Sequence, residues 1–434
     1  MTAAAKCCNI IHDMNKIKPR GEYFYRNLET RLEHSIIAHP IVVITGPRQV
    51  GKSTILKKSP QFSKYRYFNF DSLDTISAIK KDSEELLKAS DVNIIDEVQK
   101  LPEILSVIKK IIDDTDRKSR FILSGSANLL LMKKVSESLA GRAVYMNLYP
   151  FSVGEYMAEE KENILDLILD GKTIKEGPVK GFDIDLEDVL WKGLMPVPQL
   201  KLKAPNDVIE WFDGYITSYL ERDLRDVSVV SDLGDYKRFL KIMALYNGSI
   251  ADETAVSRET QIPQSTIHRY LGLLETTCII SKVPSFERNK KKRVVKRPKV
   301  YWFDTGIVNF LAGEFEPKGL SQKKEYGFLF ETFIYHHLKV WASLKVPTPA
   351  IYYWRMRTGE EVDFVVEAGN EIIPIEVKIK KEAGYKDIKN LLVFLAAYPQ
   401  VKTALLIYGG DKVVRLTDKI FAVPYHMLCV NKNN

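Results

Sequence analysis

The sequence predicts an α/β protein: a parallel-sheet core, then a helix-turn-helix with a hairpin, then a second, smaller α/β unit. Three observations lead there. Short apolar runs recur at 41–45, 65–70, 92–95, 120–123 and 143–148 with helical stretches between them, the pattern of strands joined by crossover helices. A loop bounded by glycines lies between the first run and the next helix. The basic excess is concentrated in one short stretch.

Taken in order, residues 1–40 read as an extension ending in a helix, with Tyr23, Leu28, Leu32 and Ile36 at helical intervals. Residues 41–150 hold the five strands. Residues 151–230 read as a helical connector, with glycine and proline punctuation and then an amphipathic helix over 207–226. In 231–322, a helix over 235–246, two short helices over 251–258 and 264–274, and strands over 279–286 and 300–303 give the order of a winged helix. The last segment, 323–434, opens with a helix through Glu331 and continues strand, strand, helix, strand.

Composition closes off other classes. The 434 residues are 45% hydrophobic and 28% charged, which fails collagen-like, disordered and disulfide-scaffold readings. Net charge is +8, and the stretch from Arg288 to Lys299 holds eight basic residues and no acid, so the remainder is neutral. A local patch of that kind points to a polyanionic partner at one place. The four cysteines, Cys7, Cys8, Cys278 and Cys429, show no ligand spacing. Together with the lack of a signal-like or membrane-length apolar run, this predicts a cytoplasmic protein with no membrane contact.

Gly46-Pro47-Arg48-Gln49-Val50-Gly51-Lys52-Ser53-Thr54 fits the phosphate-loop pattern in its required strand-to-helix context. Glycines let backbone amides curl around a phosphate, Lys52 neutralises its charge, and the Ser53 hydroxyl suits magnesium. The apolar run ending in Asp96 and Glu97 supplies two carboxylates, Asp96 for magnesium through water and Glu97 to orient an attacking water. The next strand ends at Ser124, followed by Ser126. Either hydroxyl could sense the γ-phosphate or serve as a helix cap. Arg142 is a candidate to stabilise transition-state charge, in its own subunit or across a homo-oligomer, with a surface salt bridge as the alternative.

On the second short helix Gln264, Ser265, Thr266, His268 and Arg269 form a polar side suited to a major groove. The hairpin carries Lys290, Lys291, Lys292, Arg293, Lys296 and Arg297, suited to DNA phosphates. The alternative is a winged helix used for protein contacts. In the last segment Asp363 precedes Glu376 and Lys378, which share one strand face. With Glu331 the two acids are candidate ligands for a second divalent ion, and Lys378 would steady the charge that develops.

With these residues in view, the chain resembles the prokaryotic AAA-type ATPase family whose ATPase core is followed by a DUF4143 region. The motifs are the loop at 46–53, Asp96-Glu97, Ser124-Gly-Ser126, Leu139-Ala-Gly-Arg142, Tyr149-Pro-Phe, Tyr219-Leu-Glu-Arg-Asp223, Lys299-Val-Tyr-Trp-Phe-Asp304, and Asp363 with Glu376-Val-Lys378. Ser124 stands where threonine is usual. The resemblance implies ATP and magnesium at an AAA-type core, a winged helix, and a C-terminal fold of the PD-(D/E)XK, restriction-endonuclease-like type. Its nuclease constellation would be Glu331, Asp363, Glu376 and Lys378. The function expected is ATP hydrolysis with DNA binding through the winged helix and metal-dependent DNA cleavage. The alternative is a nucleotide-switched DNA-binding or protein-docking module with an inactive nuclease fold.

Overall fold

The computed structural model describes residues 23–125, 139, 141–220, 232–289, 293 and 296–430. Cys7, Cys8, Ser126, Asp223, Lys290, Lys291 and Lys292 lie outside them. Among the described residues no helix is long and apolar enough to cross a membrane.

The core sheet contains β1 (Ile41–Thr45), β2 (Arg66–Asn69), β3 (Val92–Asp96), β4 (Arg120–Ser124) and β5 (Ala143–Asn147) in the order β2-β3-β4-β1-β5. All its pairings are parallel. β1 reads as an unbroken apolar run because helices cover both its faces. Val42 and Ile44 pack in one cluster with Leu28, Leu32 and Ile36 of α1 (Leu28–Ala38). Ile41 and Val43 pack on the other face with Ile104, Ile108 and Ile111 of α3 (Ile104–Asp114). Between β1 and β2 runs α2 (Lys52–Lys58), which the loop leads into. This order sets β4 between β1 and β3, so the loop, Asp96 and Ser124 meet at one sheet edge.

After β5 come α4 (Val153–Met157), α5 (Leu186–Lys192) and α6 (Pro205–Tyr215). The next unit runs α7 (Leu233–Leu245), β7 (Ser249–Ile250), α8 (Glu253–Thr260), α9 (Gln264–Thr276), β8 (Ile280–Val283), β9 (Lys299–Trp302) and α10 (Thr305–Ala312). Its strands form a small antiparallel sheet in the order β7-β9-β8.

The last unit departs from the expected strand count. α11 (Glu325–Ser343) is followed by β10 (Ala350–Arg355), β11 (Glu361–Ala368), β12 (Glu371–Lys378), α12 (Lys389–Ala397), β13 (Ala404–Tyr408), β14 (Lys412–Arg415) and β15 (Ile420–Pro424). The sheet order is β10-β11-β12-β13-β15-β14-β6, where β6 is Gly177–Pro178 from the connector. β6 pairs Gly177 with Val413 and Pro178 with Lys412, covering an otherwise open edge. α11 packs Phe330, Ile334, Leu338 and Trp341 on one face of the sheet against Phe364, Ile375, Leu405 and Ile407. α12 packs Leu391 and Phe394 on the other, against Val362, Val365 and Leu406.

Candidate functional site

The loop after β1 turns at Gly46, where φ is +130° and an added Cβ would overlap the carbonyl oxygen of Leu148. Gly51, at φ +101°, starts α2 from a conformation that side chains disfavour. Lys52 is buried, and its Nζ donates to the carbonyl oxygens of Pro47 (2.7 Å) and Gly46 (3.0 Å). Burial pushes the ammonium down to about 8, while Glu97 and Asp96 oppose that shift. The loop's lysine therefore sits within electrostatic reach of both strand-end carboxylates. Asp96 is buried and accepts hydrogen bonds from the hydroxyls of Ser124 and Tyr67. Glu97 adopts φ +57°, accepts from Gln99, and has its carboxyl raised by burial first and by Asp96 second. The structure thus gathers Lys52, Asp96, Glu97 and Ser124. Ser53 is half-buried and Thr54 is exposed on the first turn of α2.

Arg142 stands apart from this group. Its guanidinium forks onto Asp113 of α3, with Nη2 at 2.9 and 3.0 Å from the two carboxylate oxygens. The surface salt bridge is the alternative this geometry supports within one chain.

Sequence patterns missed the residue that braces the loop. Arg26, only 4% exposed, donates through Nη1 to Val50 O (2.8 Å) and through Nη2 to Tyr149 O (2.7 Å) and Pro150 O (3.2 Å). Its Nε lies 3.2 Å from Glu155 Oε1, and its guanidinium stacks 4.6 Å from the Phe151 ring centre. Glu155 also closes a capping box with Ser152. The Ser-x-x-Glu spacing at 152–155 is the one signal in the sequence that could have exposed this brace.

In the second unit the polar side of α9 is open: Gln264, Ser265, His268 and Arg269 are exposed and Thr266 is half-buried, while Ile267, Tyr270, Leu271 and Leu274 face inward. His268 Nδ1 lies 3.0 Å from Glu253 Oε1. In the basic hairpin Lys290, Lys291 and Lys292 lie outside the described residues, while Arg293 is held in place. Arg293 donates to Glu367 Oε2 (2.7 Å) and the Tyr352 hydroxyl (3.0 Å), and stacks on Phe286 and Tyr352. Phe286 is buried against Trp354, Phe394 and Tyr398. Lys296 pairs with Glu287, and Arg297 with Asp252 at 2.5 Å. The hairpin is docked on the last unit at Arg293, through Glu367 and Tyr352, at Phe286 through its aromatic cluster, and at the Arg297 carbonyl, which accepts from the Tyr353 hydroxyl.

Lys299 goes further. From β9 its ammonium reaches Glu331 Oε1 (3.1 Å) on α11 and Glu361 Oε1 (2.5 Å) on β11, and the Tyr301 hydroxyl also donates to Glu331. Beside them Asp363 Oδ2 accepts from Val377 N (2.8 Å), and Lys378 Nζ lies 2.8 Å from Glu376 Oε1. Burial, then Asp363, raises Glu331 to about 7 and Glu376 to about 8, and burial also raises Asp363. Glu331, Asp363, Glu376 and Lys378 are therefore brought together, with Lys299 and Glu361 as members that spacing did not reveal. Glu376 Oε2 is buried without a hydrogen-bond partner. Even so, among the described residues no three His, Cys, Asp or Glu side chains gather to hold a metal. Glu331 is turned to Lys299 and Glu376 to Lys378. A second divalent ion, expected from the sequence, would compete with Lys299 and Lys378 for these carboxylates.

Strand order, loop and paired strand-end acids define the first unit as a parallel-sheet P-loop fold. Residues 38–157 match the family described as AAA domain, and residues 183–318 and 326–428 match two domains of unknown function, DUF8612 and DUF4143. Uncharacterized proteins of Mycobacterium bovis and Mycobacterium tuberculosis are each 28% identical over 408 residues, covering 92% of this chain and 83% of theirs. An uncharacterized protein of Methanocaldococcus jannaschii is 22% identical over 398 residues, covering 88% and 83%. The solved structure of the Thermotoga maritima RuvB Holliday junction branch migration motor is 15% identical, covers 62% of this chain and 93% of that chain, and overlays at a TM-score of 0.30. A signal transduction ATPase with a tetratricopeptide repeat sensor from Pyrococcus horikoshii overlays at 0.23, with 12% identity, 75% of this chain and 48% of that chain.

Proposed function

We propose that the chain binds and hydrolyses ATP at the 46–54 loop and uses the nucleotide state to set how its DNA-contacting unit sits against the core. The observation that carries this reading is the convergence of Lys52, Asp96, Glu97 and Ser124 on one sheet edge. The residues fit a magnesium triphosphate: Gly46 and Gly51 hold the loop at positive φ, where side chains are disfavoured, and the donor set is ammonium, hydroxyl and carboxylate. Loop amides and Lys52 would hold the phosphates, and Ser53 and Asp96 the magnesium, which supplies charge neutralisation when bound. Lys52 moves from the loop carbonyls to the phosphates. Glu97 orients the attacking water, and Ser124 fixes the Asp96 carboxylate.

DNA contact falls to the open face of α9, with Gln264, Thr266, His268 and Arg269 toward the groove. The docked hairpin favours the last unit, read as a PD-(D/E)XK-like fold, as a docking base for that contact. A second reading, metal-dependent DNA cleavage at Asp363, Glu376 and Lys378, draws on the unpartnered Glu376 Oε2.

Lys52→Ala should abolish ATP turnover with the circular dichroism of the fold retained; turnover equal to wild type would sink the hydrolysis reading. Magnesium- or manganese-dependent nicking of plasmid DNA that disappears in Asp363→Ala would establish the second reading, and no nicking by wild type with either metal would remove it.

A further inference from the structure

Beside the edge strand β5 lies a cavity of about 270 Å³ that none of the sequence motifs accounts for. Three cations line it, each from a different unit: Arg31 from α1, Lys282 from β8 and Lys339 from α11. No carboxylate lines it. Tyr145, Tyr149 and Tyr335 add phenols to the wall. Lys282 is balanced by Glu275 at 2.9 Å, and Glu275 faces an adjoining cavity of about 220 Å³. The other two cations have no such balance. Among the described residues Arg31 and Lys339 form no ion pair. The groups acting on the Lys339 ammonium are the phenols of Tyr335 and Tyr149, the second hydrogen-bonded to it, and the thiol of Cys278. Arg31 donates to the carbonyl oxygen of Ser343, while its Nε is buried without a hydrogen-bond partner.

Two partly desolvated cations held in one cavity without an anion are costly, and an anionic ligand offsets that cost. An arginine fork, two ammoniums and phenol donors are the groups that recognise phosphate oxygens. The volume lies below the roughly 300 Å³ at which drug-sized ligand pockets begin, which limits the guest to a compact molecule. None of residues 46–54, 96, 97 or 124 lines either cavity. We propose that this cavity binds a compact phosphorylated small molecule at a site separate from the phosphate loop. Because its cations come from three units, a bound phosphate ties α1, β8 and α11 to the end of β5, making it an effector site for their arrangement. The proposal does not depend on ATP hydrolysis at the loop.

Calorimetric titration of sodium pyrophosphate into the full chain carrying Lys52→Ala tests it. One pyrophosphate per chain is expected, with affinity weakened at least about tenfold by Lys339→Gln and again by Arg31→Gln. Lys339→Arg should keep binding within about threefold, which separates loss of charge from loss of fold. Arg31→Gln probes the cavity from α1 should Lys339→Gln fail to fold. Absence of binding by pyrophosphate and by adenosine monophosphate overturns the proposal, as does binding indifferent to Lys339→Gln and Arg31→Gln. Binding confined to a 5′-phosphorylated oligonucleotide would assign the cavity to a DNA end and overturn it as a small-molecule site.

Discussion

Replacing Lys299 by methionine removes an ammonium that bridges two units while keeping an unbranched apolar stem. The Lys299 side chain is 5% exposed, and its ammonium lies 3.1 Å from Glu331 Oε1 and 2.5 Å from Glu361 Oε1. Leaving buried carboxylates without their cation costs about 3–5 kcal/mol when they stay ionised. Protonation limits that cost. Glu331 is raised to about 7 by burial and then Asp363, with Lys299 opposing the rise. A carboxyl whose folded value lies above its unfolded value contributes stability that is full below the unfolded value and lost as pH rises through the folded one. At about 1.4 kcal/mol per pH unit, Glu331 makes the wild type lose on the order of 3 kcal/mol between pH 5 and 8, then level off.

Without Lys299 the Glu331 carboxyl rises further, and the loss continues beyond pH 8. At pH 6 the variant should be less stable by about 1.5–3 kcal/mol, the worth of hydrogen bonds to a charged group. At pH 8 the deficit should reach about 3–5 kcal/mol. Urea unfolding followed by tryptophan fluorescence measures both, since Trp302 and Trp354 are buried on the strands beside the pair. Adding Glu331→Gln to Lys299→Met should restore at least half of the deficit at pH 8. A deficit equal at pH 6 and pH 8, with strictly additive double-variant energies, would refute the reasoning.

Arg26→Ala frees the Val50 and Tyr149 carbonyls, so KM for ATP should rise about tenfold, or ~1.4 kcal/mol, with a smaller change in kcat; an unchanged KM would remove the brace. Arg142→Ala should cost under about 1 kcal/mol of stability and leave turnover within about twofold in dilute protein. A large loss appearing only at high protein concentration would instead place Arg142 at a neighbouring subunit. Arg269→Ala should weaken duplex DNA binding and lower the salt slope by about one, whereas Arg293→Ala should act on stability through Glu367; equal effects on the salt slope would contradict the docked hairpin. His336 is buried and pushed down to about 4, so its contribution is present above its unfolded value and lost on acidification, by about 3 kcal/mol in all. His336→Gln should flatten the stability curve between pH 6.5 and 4, and an unaltered acid limb would assign that loss to other groups.

The core was legible because its strands are buried on both faces, and such strands appear as unbroken apolar runs between polar helix starts; each lies within two residues of its expected limits. The last sheet was less legible. β14 buries only Val413 among its four residues, so neither alternation nor a run marks it, and β6 is two residues held by a distant partner. At the first site, the loop and Asp96-Glu97 are local patterns and could be read. Tyr67 and Arg26 act on it across β2 and from before α1, where no spacing rule operates. Counting charge located the basic stretch but could not say what it meets. Arg293 finds Glu367 74 positions away and Lys299 finds Glu331 32 away, and only folding brings those carboxylates near.

These long-range contacts bear on how a nucleotide could act at a distance. The segment following β5 is held from two sides. On one side Arg26 binds the Tyr149 and Pro150 carbonyls together with Val50 of the phosphate loop. On the other, His336 Nε2 lies 2.9 Å from Phe151 O, and Val153 N donates to His337 Nε2 at 3.0 Å. Burial holds both imidazoles down and hence neutral, so each ring must present one donor and one acceptor. His337 accepting at Nε2 leaves Nδ1–H to donate to Phe333 O, 2.8 Å away on α11. A displacement of Val50 therefore has two outcomes: Arg26 follows and pulls on α11 through this segment, or a buried hydrogen bond breaks. A buried donor left unpaired costs about 1–3 kcal/mol, which favours movement of the segment as one piece. That makes the connection between loop and last unit a bonded strut rather than a flexible tether.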